Sequence, residues 1–229
     1  MLKIEKTVLP SPEQWEIIIE GMRNPMNSWD KMDSDWDWNP YANRSELVLG
    51  PNDHDLMMKL ANGGSTHAKY RQMIPVFVTI NAPLYWWKEF DTYKVGTTSN
   101  SCSTMHKIHA QEFTLDDFSC EKLYFWNCNK LQHIIDTLNH ERNIFVNGFK
   151  GVPGDGVDIE PGNKRVWEQM IQLLPTSYNQ KRTIFLNYEV LVGMYRDRRN
   201  HKLDEWHTFC DWIKTLPYSE IITGGADGE

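Results

Sequence analysis

The chain has 229 residues, of which 40% are hydrophobic and 24% are charged, and its formal net charge is −7. These values are typical of a globular protein that buries a substantial core. The acidic balance argues against a protein that wraps duplex nucleic acid. No apolar run approaches the roughly 18 residues that a membrane-spanning helix needs.

Cysteine usage and the N-terminus indicate the cellular compartment. The four cysteines form no CxxC pair, and no paired histidines complete a zinc site, so we predict free thiols and no metal centre. The first residues, MLKIEKTVLP, have no apolar signal core. We therefore expect a cytoplasmic protein.

The first predicted element in chain order is a helix. Ser11 suits the N-cap, Pro12 suits the first helical position, and Gln14 can complete a capping box. Residues 26–50 are polar and rich in Trp and Asp, and we predict a solvated loop whose aromatic side chains turn inward. Its four aspartates between positions 30 and 37 could also bind a metal, which is the less common role of such a run.

The remaining segments predict helices around at least one strand. The clearest strand is 74–80 (IPVFVTI), which is rich in β-branched residues. A loop is predicted over the glycine- and proline-rich segment 148–163. The pattern indicates the α+β class, with helices expected over 51–62, 82–93, 123–145, 166–174, 187–195 and 204–215.

Two polar clusters are candidates for ligand contact. The segment Thr97 to Thr104 (TTSNSCST) offers small polar side chains that let a ligand approach the backbone, although a solvated loop explains it equally well. The segment 196–202 is the dense positive spot of an acidic chain. Its guanidinium groups match phosphate oxygens, but cations also commonly offset the dipole at a helix end.

Two regions resemble the flavin-dependent thymidylate synthases. Residues 82–108 (APLYWWKEFDTYKVGTTSNSCSTMHKI) are similar to the family's central signature, in which a helix leads into Arg-His-Arg and then a Ser-x-Asn-Glu-x-Ser-x-Arg turn. Residues 173–206 are similar to its Leu-Pro stretch, a strand, Asn-Ala-Arg-Ser-Leu and a following Leu-Arg. The likeness covers roughly 52–108 and 165–215.

The resemblance implies a fold and a set of site residues. We expect helices packed around a central, mostly antiparallel sheet, in a single thymidylate-synthase-like domain over 1–229 with an N-terminal extension at 1–50. It implies that His67 and Asn187 face FAD. It also implies nucleotide contacts by Lys94, Thr97, Ser99, Asn100, Ser103 and Arg198.

Several of these positions have simpler explanations that stay open. His67 can be a loop histidine bonded to backbone, and Asn187 can cap the helix that follows it. Cys102 can be a small buried thiol or a nucleophile, but the sequence shows no histidine partner for it.

The chain also departs from the family pattern. Arg-His-Arg corresponds here to Thr92, Tyr93 and Lys94, so one cation of the three positions is kept, and the family's arginine after Asn-Ala is Glu189. Losing two or three charged contacts of about 1.5–3 kcal/mol each would cripple binding unless other residues replace them.

The expected function is therefore that of a divergent flavin-dependent enzyme. It would methylate a pyrimidine nucleotide of the dUMP type, using a methylenetetrahydrofolate carbon, FAD and NADPH, as a homotetramer whose pockets are shared between chains. The alternatives are a catalytically silent nucleotide-binding relative, acting as sensor, sponge or structural partner, and the same fold with another flat phosphorylated substrate.

Overall fold

The structure is a computed structural model and describes residues 1–41, 43–151 and 156–224. It belongs to the α+β class, with helices packed against a mostly antiparallel sheet, which confirms the predicted fold class. No helix in these ranges is long and apolar enough to cross a membrane.

The main sheet has four strands in the order β1-β4-β8-β5. These are β1 (Lys3–Val8), β4 (Pro75–Pro83), β5 (Thr98–Ser101) and β8 (Asn179–Asn187). Thr79 pairs with Thr183 and Phe77 with Phe185, so numbers rise on β8 as they fall on β4, and these two strands run antiparallel. Alternate residues of β4 are buried because successive side chains of a strand point to opposite faces.

The chain divides into two compact units. The first comprises Met1–Lys3, Asn81–Asp91 and Asn100–Arg182. It contains α3 (Leu84–Phe90), α4 (Thr104–Lys107), α5 (Phe125–Asn147), α6 (Lys164–Leu173) and the short hairpin of β6 (Phe149–Lys150) and β7 (Asp158–Ile159). Its helices enclose a buried cluster that includes Phe113, Phe118, Leu138 and Met170.

The second unit comprises Ile4–Ile80, Thr92–Ser99 and Thr183–Glu229. It contains α1 (Pro12–Arg23), β2 (Asp35–Asn39), β3 (Arg44–Val48), α2 (Pro51–Asn62), α7 (Tyr188–Arg198), α8 (Asp204–Lys214) and α9 (Glu220–Thr223). Trp206, Phe209 and Tyr188 are among its fully buried side chains. The prediction of one domain over 1–229 with an extension at 1–50 stays a prediction.

The N-terminal helix forms as the sequence indicates. The Ser11 hydroxyl accepts from the backbone N–H of Gln14, and the Gln14 side chain accepts from the backbone N–H of Ser11, which completes the capping box. Trp15, Ile18 and Ile19 lie on its buried face. The predicted start of α1 is therefore confirmed.

The prediction of a loop over residues 26–50 is wrong. Two short 3-10 turns are followed by a hairpin in which β2 pairs antiparallel with β3, with Trp36 opposite Leu47. The alternation Asp-Trp-Asp-Trp on β2 places every second side chain on the same face. The indole of Trp36 donates a 2.9 Å hydrogen bond to Glu16 on α1.

Two predicted boundaries near the signature segment also differ. Strand β4 continues to Pro83, so the helix predicted over 82–93 is the shorter α3. The small-polar turn contains the strand β5 instead, at one edge of the sheet, and Ser103 then caps α4. Hydroxyl and amide side chains suit this position because they are exposed there.

Candidate functional site

One cavity of about 560 Å³ gathers residues from both segments that resemble the flavin-dependent enzymes. We call it the α7 pocket, since the first turns of α7 form one wall and the loop 92–96 forms the other. Its lining residues are Gln72, Thr92, Tyr93, Lys94, Val95, Gly96, Asn187, Glu189, Val190, Gly193, Arg196 and Asp197. The volume lies within the range of about 300–1,000 Å³ that is usual for small-ligand pockets.

The loop approaches α7 closely at Gly96. This glycine has a φ of 76°, and a Cβ added to it would lie 2.7 Å from Cγ2 of Val190. A side chain at position 96 would therefore meet both backbone strain and a steric clash. Gly96 lets the loop 92–96 form one wall of the pocket beside the helix.

Asn187 stands at the start of α7. Its Oδ1 accepts a 3.0 Å hydrogen bond from the backbone N–H of Val190, so the residue is the N-cap of the helix. This bond uses the amide oxygen and leaves the Nδ2 group to donate hydrogen bonds. The N-cap explanation from the sequence is correct, and it is compatible with a ligand contact.

The charges of the pocket are mostly balanced within the protein. Glu189 accepts a 2.8 Å hydrogen bond from Nε of Arg71, and Nε of Arg196 lies 2.9 Å from the Asp197 carboxylate. Lys94 is exposed and forms no ion pair within the described part of the chain. An anionic group would therefore find its available cation at Lys94.

Arg198 reaches the site through Tyr93. Its Nε donates a 2.9 Å hydrogen bond to the Tyr93 phenol oxygen, and its guanidinium carbon lies 4.8 Å from the ring centre of Trp206. Burial raises the pKa of Tyr93, and the nearby Arg198 partly opposes this shift. Arg198 therefore holds a neutral phenol that lines the pocket, and is not itself a lining residue.

The predicted nucleotide contacts in the polar segment are dispersed. The Thr97 hydroxyl donates to the backbone carbonyl of Tyr93, which ties it to the loop 92–96. Ser99 and Asn100 are exposed on β5, and the Ser103 hydroxyl accepts a 2.9 Å hydrogen bond from the backbone N–H of His106. None of these four lines the α7 pocket.

His67 lies outside the α7 pocket. It is exposed and precedes the 3-10 turn Ala68–Met73, and its backbone N–H donates to Gly64 at 3.0 Å. The structure thus brings Lys94 and Asn187 to one pocket, and Arg198 and Thr97 to Tyr93. Roles for all the candidate residues stay predictions.

Sequence reasoning did not identify Gly96, Val190 and Arg71. Gly96 had a recognisable signal, since an isolated glycine beside a polar segment is typical of a turn with positive φ. No sequence signal points to Arg71, because its partner Glu189 is 118 residues away. Only the folded chain joins that pair.

Of the comparisons with known proteins, the one with solved structures agrees with the observed fold. No protein-family model and no curated protein matches the sequence. Two crystal structures of thymidylate synthase X from Helicobacter pylori, both with FAD and dUMP, are similar to this chain. One has a TM-score of 0.60 and 12% identity over 97% of this chain and 95% of that one. The other has a TM-score of 0.57 and 11% identity over 97% and 96%. At this identity the likeness establishes the fold alone.

Proposed function

We propose that the protein is a divergent flavin-dependent thymidylate synthase-like protein that binds a pyrimidine nucleotide of the dUMP type in the α7 pocket. One observation carries the proposal. The loop 92–96 and the start of α7 belong to the two separate segments that resemble the family, and both line a single cavity. The Helicobacter pylori proteins of similar fold were solved with dUMP.

The chemistry of the pocket suits a flat ligand with one anionic group. The exposed ammonium of Lys94 would hold a phosphate, and a charge-assisted contact of this kind contributes about 1.5–3 kcal/mol. The Nδ2 group of Asn187 and the neutral phenol of Tyr93 would bind polar atoms of a ring. The carboxylates are already held by arginines, so they repel an anion less than two unpaired carboxylates would.

The same residues fit a flavin in part. Asn187 and Lys94 would hold polar and anionic groups of FAD, which supplies hydride transfer when bound. FAD carries two phosphate groups, whereas the pocket of one chain offers Lys94 as its cation without an ion pair among the described residues. We therefore propose that flavin binding and methylation, with NADPH and methylenetetrahydrofolate, require a symmetric oligomer such as a tetramer, in which a second copy completes the site.

A second candidate is a catalytically silent nucleotide-binding relative. Two residues at positions that correspond to the family's segments already form internal hydrogen bonds, which supports this candidate. Glu189 is bonded to Arg71, and Arg198 is bonded to Tyr93. Groups held in internal bonds contribute less to an incoming ligand, because those bonds have to be exchanged.

Three measurements on the purified protein test these alternatives. Flavin absorption bands, in the protein as isolated or after FAD is added, support the flavin-dependent function. A protein that takes up dUMP and no flavin supports the silent relative. Calorimetry that detects no dUMP binding contradicts both, and light scattering that shows only a monomer contradicts the shared pocket.

A matched pair of lysine variants tests the assignment of the pocket. Lys94→Ala removes the pocket ammonium, and we expect the dUMP affinity to fall by about tenfold or more. Lys202→Ala removes an exposed ammonium that does not line the α7 pocket and leaves the affinity unchanged. Equal affinities of the two variants would place the nucleotide elsewhere.

A further inference from the structure

A second cavity lies between the C-terminal end of α7 and one face of α8. It has a volume of about 480 Å³, and we call it the basic cavity. Its lining residues are Arg199, Asn200, His201, His207, Cys210, Asp211 and Lys214, and it shares none of them with the α7 pocket. Part of the cationic segment 196–202 therefore lines a separate cavity.

Most groups around the basic cavity can donate hydrogen bonds. The guanidinium of Arg199 and the ammonium of Lys214 carry permanent positive charge, and the amide of Asn200 adds a neutral donor. Nδ1 of His201 accepts a 3.1 Å hydrogen bond from the backbone N–H of Leu203. In the neutral imidazole the proton must then lie on Nε2, so that nitrogen is a donor in either protonation state.

The lining of the basic cavity contains one carboxylate, and its contact with Lys214 offsets part of both charges, so Arg199 carries the excess positive charge. Asp211 is the carboxylate in the lining, and it lies 3.5 Å from Nζ of Lys214. Asp204 lies 3.8 Å from Nδ1 of His207 on the same helix. Burial raises the pKa of the Cys210 thiol to about 11, so that residue is uncharged at neutral pH.

Dipole compensation at helix ends does not explain this arrangement. Arg199 follows the last turn of α7, and Lys214 lies in the last turn of α8, so each could separately offset a helix dipole. His207 is the fourth residue of α8, far from the C-terminal end that a cation would compensate, yet it lines the same cavity. A metal ion is a poor alternative occupant, because the described residues contain no group of three His, Cys, Asp or Glu side chains that could hold one.

We propose that the basic cavity binds a small phosphate compound, either free pyrophosphate or a phosphomonoester. Phosphate oxygens are acceptors, and they match a cavity whose lining is dominated by donors and cations. The volume exceeds the space that a single phosphate group occupies, so the cavity has room for a second phosphate or an organic group. This site is independent of the α7 pocket and of the function proposed for it.

The test uses the full chain and two probes in calorimetry. Inorganic pyrophosphate represents the free anion, and glycerol 3-phosphate represents the phosphomonoester. We expect at least one of them to bind with a dissociation constant of about 1 mM or lower. The probe that binds more tightly shows whether the ligand is a free anion or a phosphomonoester. If neither probe gives a heat of binding at about ten times that concentration, the proposal is overturned.

Four variants locate the binding. Arg199→Ala lowers the affinity for the more tightly bound probe by about tenfold or more. Arg199→Lys restores part of the affinity because the charge is kept. Lys202→Ala removes a neighbouring exposed cation outside the cavity, and Lys94→Ala removes the cation of the α7 pocket. Neither of these two changes the affinity. Loss of binding in Lys94→Ala, or full binding in Arg199→Ala, contradicts the site. Arg199 is exposed, so its variants are expected to fold.

Discussion

Arg198 and Tyr93 form a hydrogen-bonded pair, and the guanidinium also lies within cation–π distance of the tyrosine ring. Nε of Arg198 donates to the phenol oxygen at 2.9 Å, and its guanidinium carbon lies 5.5 Å from the centre of the tyrosine ring. In the resemblance noted from the sequence, Tyr93 corresponds to the histidine of the Arg-His-Arg signature. The contact therefore joins one residue from each of the two segments that resemble the family.

The first prediction concerns the nucleotide affinity of Arg198→Ala. We expect dUMP binding to weaken by about 1.5–3 kcal/mol, because the variant loses a charged group and the support of Tyr93. Calorimetry measures the change. Lys202→Ala is the control, since this exposed cation near Arg198 lines neither the α7 pocket nor the basic cavity beside α8. Unchanged affinity in Arg198→Ala would exclude Arg198 from the site.

The second prediction concerns the ion pair of Arg71 and Glu189. Glu189→Ala leaves Arg71, whose side chain is 8% exposed, without its carboxylate partner. We expect the free energy of unfolding to fall by about 1.5–3 kcal/mol, measured by urea denaturation. Glu168→Ala removes the partner of the exposed Lys164 on α6, and here we expect a change of at most about 0.5 kcal/mol. Equal effects of the two substitutions would contradict the structural role of Glu189.

The third prediction is an acid-dependent loss of stability through Asp53. Its carboxylate is fully buried, and burial alone would raise its pKa. Hydrogen bonds from Ser34, Arg23 and the backbone of Asp33 outweigh burial and hold the pKa of Asp53 below its usual value. A carboxyl whose pKa is lower in the folded state stabilises the fold above about pH 4, and this contribution is lost as the pH falls through the folded-state pKa.

Asp53→Asn tests this dependence. We expect the variant to be less stable than the parent protein at neutral pH, because Arg23 is buried and loses its 2.5 Å ionic contact. The difference in the free energy of unfolding then shrinks as the pH is lowered below about 4. A difference that stays constant from neutral pH to pH 3 would contradict the assignment.

The fourth prediction concerns Gly50, which precedes α2. A Cβ added there would lie 2.2 Å from Oδ1 of Asp33 and 2.4 Å from the Asp33 carbonyl carbon. Asp33 accepts hydrogen bonds from the backbone N–H groups of Asn52 and Asp53, so the clash would also displace this cap of α2. We expect Gly50→Ala to lower the free energy of unfolding by about 1–3 kcal/mol or more.

Gly21→Ala is the matched control for Gly50→Ala. Gly21 lies within α1, and an added Cβ would meet only the Met73 side chain at 3.7 Å, which is ordinary contact. Alanine is the better helix former, so we expect Gly21→Ala to raise the free energy of unfolding by about 0.5–1 kcal/mol. Thermal unfolding compares the two variants, and a stable Gly50→Ala protein would contradict the close approach of Asp33.

Local sequence signals predicted the long helices, whereas strand pairing depends on residues that are distant in sequence. The Ser11 cap with Pro12 predicts the start of α1, because a capping box is complete within four residues. The strand β5 was not predicted, since Thr-Ser-Asn-Ser lacks the β-branched and aromatic enrichment of a strand, and its pairing comes from the neighbouring β8. Tertiary pairing outweighed the local preference there.

The candidate site also combines residues that the sequence singles out with contacts that only the folded chain creates. The resemblance of two segments to one family singled out the positions Lys94 and Asn187, and both line the α7 pocket, while their roles stay predictions. It could not foresee that Glu189 would be neutralised by Arg71, since ion pairing depends on the approach of two distant side chains. It also could not separate Arg199 and His201 from the rest of the cationic cluster.

The anchoring of Cys102 provides a route to spectroscopic work on this protein. Cys102 is the exposed member of the four cysteines, and its backbone N–H donates to Lys181 while its carbonyl accepts from Gln180. A maleimide dye or spin label should react there first and attach to a backbone held on both sides. Distances measured between such labels in an assembly would then report the arrangement of subunits with little uncertainty from backbone motion.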